Sequence, residues 1–170
     1  MKSALSRRQF LRSSLATSAA VSLLPAAIAR AADAASNRVV LAVAGIHARG
    51  KELISKFAEL PGVSVKYVVD VDQRYLPSAV KLTEKALGKP AQTETDFRRV
   101  LEDKDVDALV IATPDHWHAP MAILAAKAGK HVYVEKPCSH NPREGEILVE
   151  VARNSKRLVQ MGNQRRSTGN

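Results

Sequence analysis

The sequence is poor in several residue types on which whole classes of site depend. Its single cysteine, Cys138, excludes an internal disulfide framework and a zinc site built from several cysteines. Aromatic residues make up only 4% of the chain, so few rings are available to stack on nucleic-acid bases. The H-E-x-x-H pattern of zinc hydrolases and the G-x-S-x-G pattern of serine hydrolases are both missing. We therefore predict no metal site, and we interpret Cys138 as structural.

Acidic residues are missing from the first 31 positions, and this raises the charge of the whole chain. The formal charge is +9, from 26 basic and 17 acidic residues. Five of the basic residues lie in that stretch, so 21 basic residues remain against 17 acidic ones beyond it. A balance near +4 is ordinary for a solvated surface. No nucleic-acid partner is predicted.

The same 31 residues resemble an export signal of the twin-arginine (Tat) type. Ser6-Arg-Arg-Gln-Phe-Leu11 is similar to the pattern S-R-R-x-F-L-K, with Arg12 in place of the lysine. The Ala-rich stretch that follows is broken by Pro25, and it is too weakly apolar for a stable membrane span. Two A-x-A sequences, ending at Ala29 and Ala31, could each be the cleavage site. We predict a signal peptide over residues 1–31, export through the Tat pathway and a periplasmic location.

Beyond the leader, short apolar runs alternate with helical patterns. Strands are predicted over residues 38–44, 63–69, 106–112, 131–134 and 157–161. Helices are predicted over residues 48–60, 74–87, 97–102, 119–128 and 142–154, with Asp96 as a candidate cap. This alternation predicts the α/β class, a Rossmann-type doubly wound parallel sheet forming a dinucleotide-binding domain over residues 37–161.

A glycine-containing turn joins the first predicted strand to the first predicted helix. Gly45-Ile-His-Ala-Arg-Gly50 is similar to the dinucleotide fingerprint G-x-G-x-x-G, with His47 in the middle glycine position. Glycine there permits a tight turn and close backbone approach, and the helix N-terminus binds the pyrophosphate. The His47 side chain could push the pyrophosphate outward or hydrogen-bond it. The loop by itself is equally compatible with a plain strand–helix turn.

An acid at the end of the second strand gives the loop its context. Asp70 lies twenty residues after Gly50, where a carboxylate can accept both ribose hydroxyls of the adenosine and repel a 2′-phosphate. Asp72 is a second candidate for this role, and either aspartate could instead be a solvated loop acid. Loop and acid together predict NAD as the cofactor, while Arg74 leaves NADP open.

Two further segments, Ala112–His118 and Ala128–Pro137, carry patterns that resemble the Gfo/Idh/MocA family of oxidoreductases (glucose–fructose oxidoreductase, inositol dehydrogenase and MocA). Ala112-Thr-Pro-Asp-His-Trp-His118 is similar to the family pattern A-T-P-N-x-x-H. Ala128-Gly-Lys-His-Val-Tyr-Val-Glu-Lys-Pro137 is similar to the pattern A-G-K-H-V-x-x-E-K-P. The resemblance covers residues 38–166. It implies an NAD(P)-dependent enzyme that oxidises a sugar or cyclitol hydroxyl by transferring hydride from the carbon that bears it.

The first segment implies a turn beside the cofactor. Thr113, Pro114 and His118 match the family's turn after the fourth strand, whereas Asp115 replaces the family's asparagine. His118 could alternatively cap or pack the helix that follows. Trp117 could wall the sugar site, although packing is its more ordinary role.

The second segment implies a site beside the nicotinamide. Glu135 and Lys136 match the E-K-P signature, and Lys136 is the candidate catalytic residue. A desolvated lysine ammonium there could hydrogen-bond a substrate hydroxyl or assist proton transfer. Met161-Gly-Asn-Gln-Arg-Arg166 is similar to the family's G-x-N-R-R, which would place Arg165 near the nicotinamide or substrate. Arg165 could equally be a solvated linker charge.

The family resemblance also implies a C-terminal substrate domain, absent from these 170 residues, with residues 162–170 beginning the linker to it. That domain would supply the sugar site, a catalytic histidine and the contacts of a homo-oligomer. We therefore expect this segment to bind nucleotide without turning over a substrate. Two other functions stay open: an NAD-dependent glycosidase, which oxidises a sugar transiently, eliminates the aglycone and reduces the product again, and a nucleotide-binding protein without catalysis.

Overall fold

The computed structural model describes residues 38–164, which form one six-stranded sheet with helices. Its strands are β1 Val39–Ala44, β2 Val63–Val69, β3 Gln92–Glu94, β4 Ala108–Ile111, β5 His131–Glu135 and β6 Val159–Gly162. The strand order is β3-β2-β1-β4-β5-β6, and every neighbouring pair is parallel. This is the doubly wound order of Rossmann folds, so the predicted fold class is confirmed.

Five α-helices connect the strands. They are α1 Ala48–Ala58, α2 Leu76–Leu87, α3 Phe97–Glu102, α4 His118–Lys127 and α5 Pro142–Ser155. Two short 3₁₀ helices, Gln73–Tyr75 and Asp115–Trp117, precede α2 and α4. No helix within the described range 38–164 is long and apolar enough to cross a membrane.

The continuous apolar run of β1 is explained by burial on both of its faces. Ala42 and Ala44 lie in one core layer with residues of α4 and α5. Leu41 and Val43 point the other way, as alternate residues of a strand do, and lie in a second core layer with residues of α1 and α2. The connections after β1 and β4 therefore leave towards opposite faces. The crevice between the carboxyl ends of these two strands is where ligands bind in such sheets.

The structure departs from the sequence prediction at one strand and at several boundaries. β3 was not predicted, because Gln92–Glu94 is polar, three residues long and at the edge of the sheet. Arg74 lies in a 3₁₀ helix, and α2 begins two residues later. The other predicted elements agree within two residues at each end. Asp96 caps α3 as predicted, because its side chain accepts the backbone N–H of Arg98.

Candidate dinucleotide-binding site

The bend after β1 has no room for a side chain at either glycine. Gly45 has a φ of +80°, and a Cβ on it would lie 2.5 Å from the backbone carbon of Ala112 and the nitrogen of Thr113. A Cβ on Gly50 would overlap the carbonyl oxygen of Gly45. The start of α1 therefore packs directly on the bend, and the bend packs directly on the turn after β4. This bare backbone is the kind of surface that a pyrophosphate can approach closely.

Asp70 lies against this bend. Its Oδ2 accepts the backbone N–H of Ile46 at 3.0 Å, and its Oδ1 accepts the backbone N–H of Asp72 at 3.0 Å. Gly45 completes the junction by donating its N–H to the Val69 carbonyl at 2.9 Å. Each carboxylate oxygen has a further lone pair beyond the one engaged by the backbone. The carboxylate is thus fixed in place and still able to accept a ribose hydroxyl.

His47 occupies the N-cap position of α1 but does not cap the helix with its side chain. Its exposed ring packs instead on Tyr75, with ring centroids 3.7 Å apart and planes tilted by 38°. The first turn of α1 contains Arg49 and Lys51 and no acid. Because Arg49 is paired with Glu52 and Glu135, the helix dipole and Lys51 are what favour an anionic group here.

A groove of about 970 Å³ opens at the carboxyl ends of β1, β2 and β4. Its size is at the upper end of the range for small-molecule sites. It brings together five of the residues predicted to bind cofactor, which are Gly45, His47, Asp70, Thr113 and Pro114. Trp117 also lines it, half-exposed and edge-on to Phe97. Trp117 therefore lies beside the part of the groove that is lined by the start of α3.

Glu135 does not line this groove and is occupied by protein partners. It is 4% exposed, and its Oε1 accepts from Nε of Arg49 at 2.6 Å. Its Oε2 accepts from the amide of Gln164 at 2.9 Å. Although partial burial opposes the charged form, hydrogen bonds to Glu52 and Glu135 raise the pKa of Arg49. This pair ties the first turn of α1 to the end of β5, and no local pattern indicates it because the two residues are 86 positions apart in the chain.

His118 is buried and joins two turns. Its Nε2 lies 2.8 Å from the carbonyl oxygen of Thr113, and its Nδ1 lies 2.6 Å from that of Pro137. A neutral imidazole carries one N–H, so both contacts are hydrogen bonds at once only in the protonated ring. His118 is also the first residue of α4. Its contacts position the turns after β4 and β5, and the ring itself stays outside the groove.

Lys136 lies at the end of β5 and is exposed, so the described residues do not supply the desolvation expected for it. The Lys136–Pro137 peptide is cis.

Asp115 has a partner that sequence reasoning missed, because its Oδ2 lies 3.4 Å from Nδ1 of His140. Although partial burial opposes it, the contact with His140 and the His116 N–H lower the pKa of Asp115. Arg165, the leader over residues 1–31 and the rest of the tail after Arg165 lie outside the described residues, whereas Gly162 ends β6 and Gln164 contacts Glu135.

The described part of the chain holds no group of three or more His, Cys, Asp or Glu side chains placed to bind a metal ion. Cys138 is a free, half-buried thiol that packs against the core layer beneath α4 and α5. Five of the residues predicted to bind cofactor thus line the groove, whereas Glu135, Lys136 and His118 lie at the neighbouring turns.

Several known proteins are similar to this chain. A glycosyl hydrolase family 109 protein from Shewanella pealeana is 36% identical over 124 residues, or 70% of this chain and 27% of the relative. An alpha-N-acetylgalactosaminidase from Shewanella oneidensis is 33% identical over the same shares. The chain spans about a quarter of the length of these relatives. The structure of myo-inositol dehydrogenase from Lactobacillus casei, in complex with NAD(H) and myo-inositol, matches with a TM-score of 0.68 and 25% identity over 77% of this chain and 38% of that one.

Family membership follows from a match over most of the chain. Residues 26–163 match the profile of the oxidoreductase family with an NAD-binding Rossmann fold, Gfo/Idh/MocA. The predicted cofactor, NAD, is the one that this fold binds in the family. The glycine bend and the carboxylate of Asp70 are the features of this chain that fit it. The chain therefore belongs to the Gfo/Idh/MocA family of oxidoreductases and carries its NAD-binding domain.

Proposed function

We propose that the complete protein oxidises a hydroxyl group of a sugar or cyclitol with NAD. The observation that carries this proposal is the contact of Asp70 with the glycine bend, since it sets a ribose acceptor beside a pyrophosphate cradle. NAD supplies the chemistry by accepting a hydride from the carbinol carbon. The chain's own residues bind and orient the cofactor and the substrate, and they move the proton of the reacting hydroxyl.

In this proposal each part of the site has one task. The N-terminus of α1 holds the pyrophosphate, and Asp70 accepts the ribose hydroxyls. Arg165, by the family resemblance, lies near the nicotinamide or substrate. Lys136 hydrogen-bonds the reacting hydroxyl and assists removal of its proton. Glu135 and His118 keep the turns that carry these groups in register, through Arg49 and through two backbone carbonyls.

A second candidate is an NAD-dependent glycosidase, favoured by the names of two relatives, a glycosyl hydrolase family 109 protein and an alpha-N-acetylgalactosaminidase. In this reaction a sugar hydroxyl would lose its proton to a base while its carbon gives a hydride to NAD. Loss of a proton from the carbon next to the new carbonyl would then expel the aglycone by elimination, and water would add to the unsaturated product. The same hydride then returns to the sugar. No NADH accumulates, so the two candidates differ in their net products.

A direct test uses the complete protein, with NAD and either free sugars and cyclitols or p-nitrophenyl α-N-acetylgalactosaminide. Oxidoreductase function predicts net NADH formation on a free sugar or cyclitol. Glycosidase function predicts nitrophenol release without net NADH. Native mass spectrometry of the purified protein should show NAD bound in either case. Residues 1–170 alone are expected to bind NAD without either turnover, and a complete protein that binds no nucleotide would refute both candidates.

We further propose that the protein is exported through the Tat pathway to the periplasm and acts there as a homo-oligomer. The support for export is the Ser6–Leu11 sequence and the apolar stretch after it. Replacing Arg7 and Arg8 by lysine should keep the precursor in the cytoplasm, because the charge is retained while the paired arginines are lost. Cell fractionation measures this, and export of that variant at the normal level would contradict it. The mass of the exported protein in solution tests the oligomer.

A further inference from the structure

Arg74 is held by the carboxylate of Asp72 at the edge of the groove. Asp72 is the N-cap of the 3₁₀ helix Gln73–Tyr75, and its Oδ1 accepts the backbone N–H of Arg74 at 3.1 Å. The guanidinium turns back onto the same carboxylate, with Nε 2.9 Å from Oδ1 and Nη2 2.6 Å from Oδ2. This forked contact matches the planar shape of both groups. Hydrogen bonds from the Arg74 side chain hold the pKa of Asp72 at about 2, so the carboxylate stays charged.

The pair lies beside the carboxylate that fits the adenosine ribose. The backbone N–H of Asp72 donates to Oδ1 of Asp70 at 3.0 Å, and both aspartates line the groove. A 2′-phosphate would extend into this region from a ribose bound at Asp70. Arginine is the side chain that accommodates such a phosphate in dinucleotide-binding domains. Arg74 is therefore the right residue type, but its guanidinium is already occupied.

We propose that Asp72 determines the cofactor specificity of this site by holding Arg74 away from the position of a 2′-phosphate. With Arg74 engaged by Asp72, its guanidinium does not offset the repulsion between the Asp70 carboxylate and a 2′-phosphate. The Arg74 side chain is 84% exposed, so nothing but this pairing restrains its guanidinium among the described residues. Removing the Asp72 carboxylate turns Arg74 into a phosphate ligand. The inference rests on the NAD site from which the proposed function is argued.

The test compares NAD and NADP binding by the complete protein and by its Asp72→Ser variant, using isothermal titration calorimetry. Serine keeps an acceptor for the backbone N–H of Arg74, so the turn is retained. NADP affinity should rise by about tenfold or more, because a guanidinium–phosphate contact is charge-assisted. NAD affinity should stay within about threefold, since NAD carries no 2′-phosphate. The double variant Asp72→Ser/Arg74→Ala should lose the gain.

Asp96 and Arg98 supply a matched control. They form the same forked pair at the start of α3, with Nε 2.9 Å from Oδ1 and Nη2 2.6 Å from Oδ2. Both residues line the same groove, but Asp96 makes no hydrogen bond to Asp70 or to the glycine bend, so Asp96→Ser should leave NADP affinity unchanged. An equal gain in NADP affinity in D96S would overturn the role of Asp72 but not the nucleotide site. The same conclusion would follow if a D72S protein that still binds NAD showed no gain in NADP affinity. A parent protein unable to bind NAD would overturn the nucleotide site as well.

Discussion

Gly45→Ala should destabilise the protein by about 3 kcal/mol and weaken NAD binding at least tenfold, by an order-of-magnitude estimate. Two costs add. A left-handed φ of +80° costs a residue with a Cβ about 1–2 kcal/mol. The new Cβ would also lie 2.5 Å from backbone atoms of Ala112 and Thr113, and neither can move without shifting β4. The bend must therefore open, and the opened backbone no longer follows the pyrophosphate.

Gly129→Ala is the matched control for the first of these costs. Gly129 also has a φ of +80°, but a Cβ there meets nothing within 4 Å. Its replacement should cost about 1 kcal/mol and leave NAD binding unchanged. The difference between the two variants, measured by denaturant unfolding and by calorimetry, isolates the clash at the bend. Equal losses of unfolding free energy in the two variants would show that the turn after β4 does not press on Gly45.

Gly50→Ala examines the same contact from the side of the helix. Gly50 needs no unusual φ, so its replacement is purely a question of space, and the Gly45 carbonyl oxygen occupies that space. Gly145→Ala is its helical control, because the nearest atom there is the movable hydroxyl of Ser139 at 3.1 Å. The control should be neutral or stabilising by up to about 1 kcal/mol, from helix propensity. Gly50→Ala should instead destabilise and lose NAD affinity.

The bend, the order of elements and the position of Asp70 could be predicted from the sequence because each leaves a local pattern. A buried parallel strand is a continuous apolar run, and the spacing of the dinucleotide fingerprint places Asp70 at the end of the second strand. β3 left no such pattern, since an edge strand of three polar residues looks like a loop. Its pairing with β2 exists only because β2 offers a free edge in the assembled sheet.

Contacts between distant segments could not be predicted for a related reason. Arg49 and Glu135 are 86 residues apart and meet because the start of α1 passes over the end of β5. His118 reaches Pro137, nineteen residues on, only once β4 and β5 are paired. The cofactor-binding roles given to Glu135 and His118 by resemblance stay predictions, and no local pattern indicated the partners that these residues have in the fold. The order of strands in the sheet, and not local periodicity, decides which distant side chains meet.

Lys136→Ala in the complete protein should lower kcat by about 10² to 10³, within the range for loss of a positioned acid–base group. That corresponds to about 3–4 kcal/mol of lost transition-state stabilisation. The affinity for NAD should stay within about twofold, because the groove that fits the adenosine half is built from β1, β2 and β4. Stability should also be unchanged, since the Lys136 side chain is exposed in the described structure.

Two controls separate this role from a general effect of charge. Lys81→Ala removes an exposed lysine from α2, away from the turns after β4 and β5, and should leave turnover unchanged. Lys136→Arg keeps the positive charge but replaces a compact ammonium by a planar group that does not release its proton. If Lys136 moves a proton, the arginine variant should be nearly as slow as the alanine variant. If it only attracts the substrate, arginine should restore turnover, and the proton-transfer role would then be wrong.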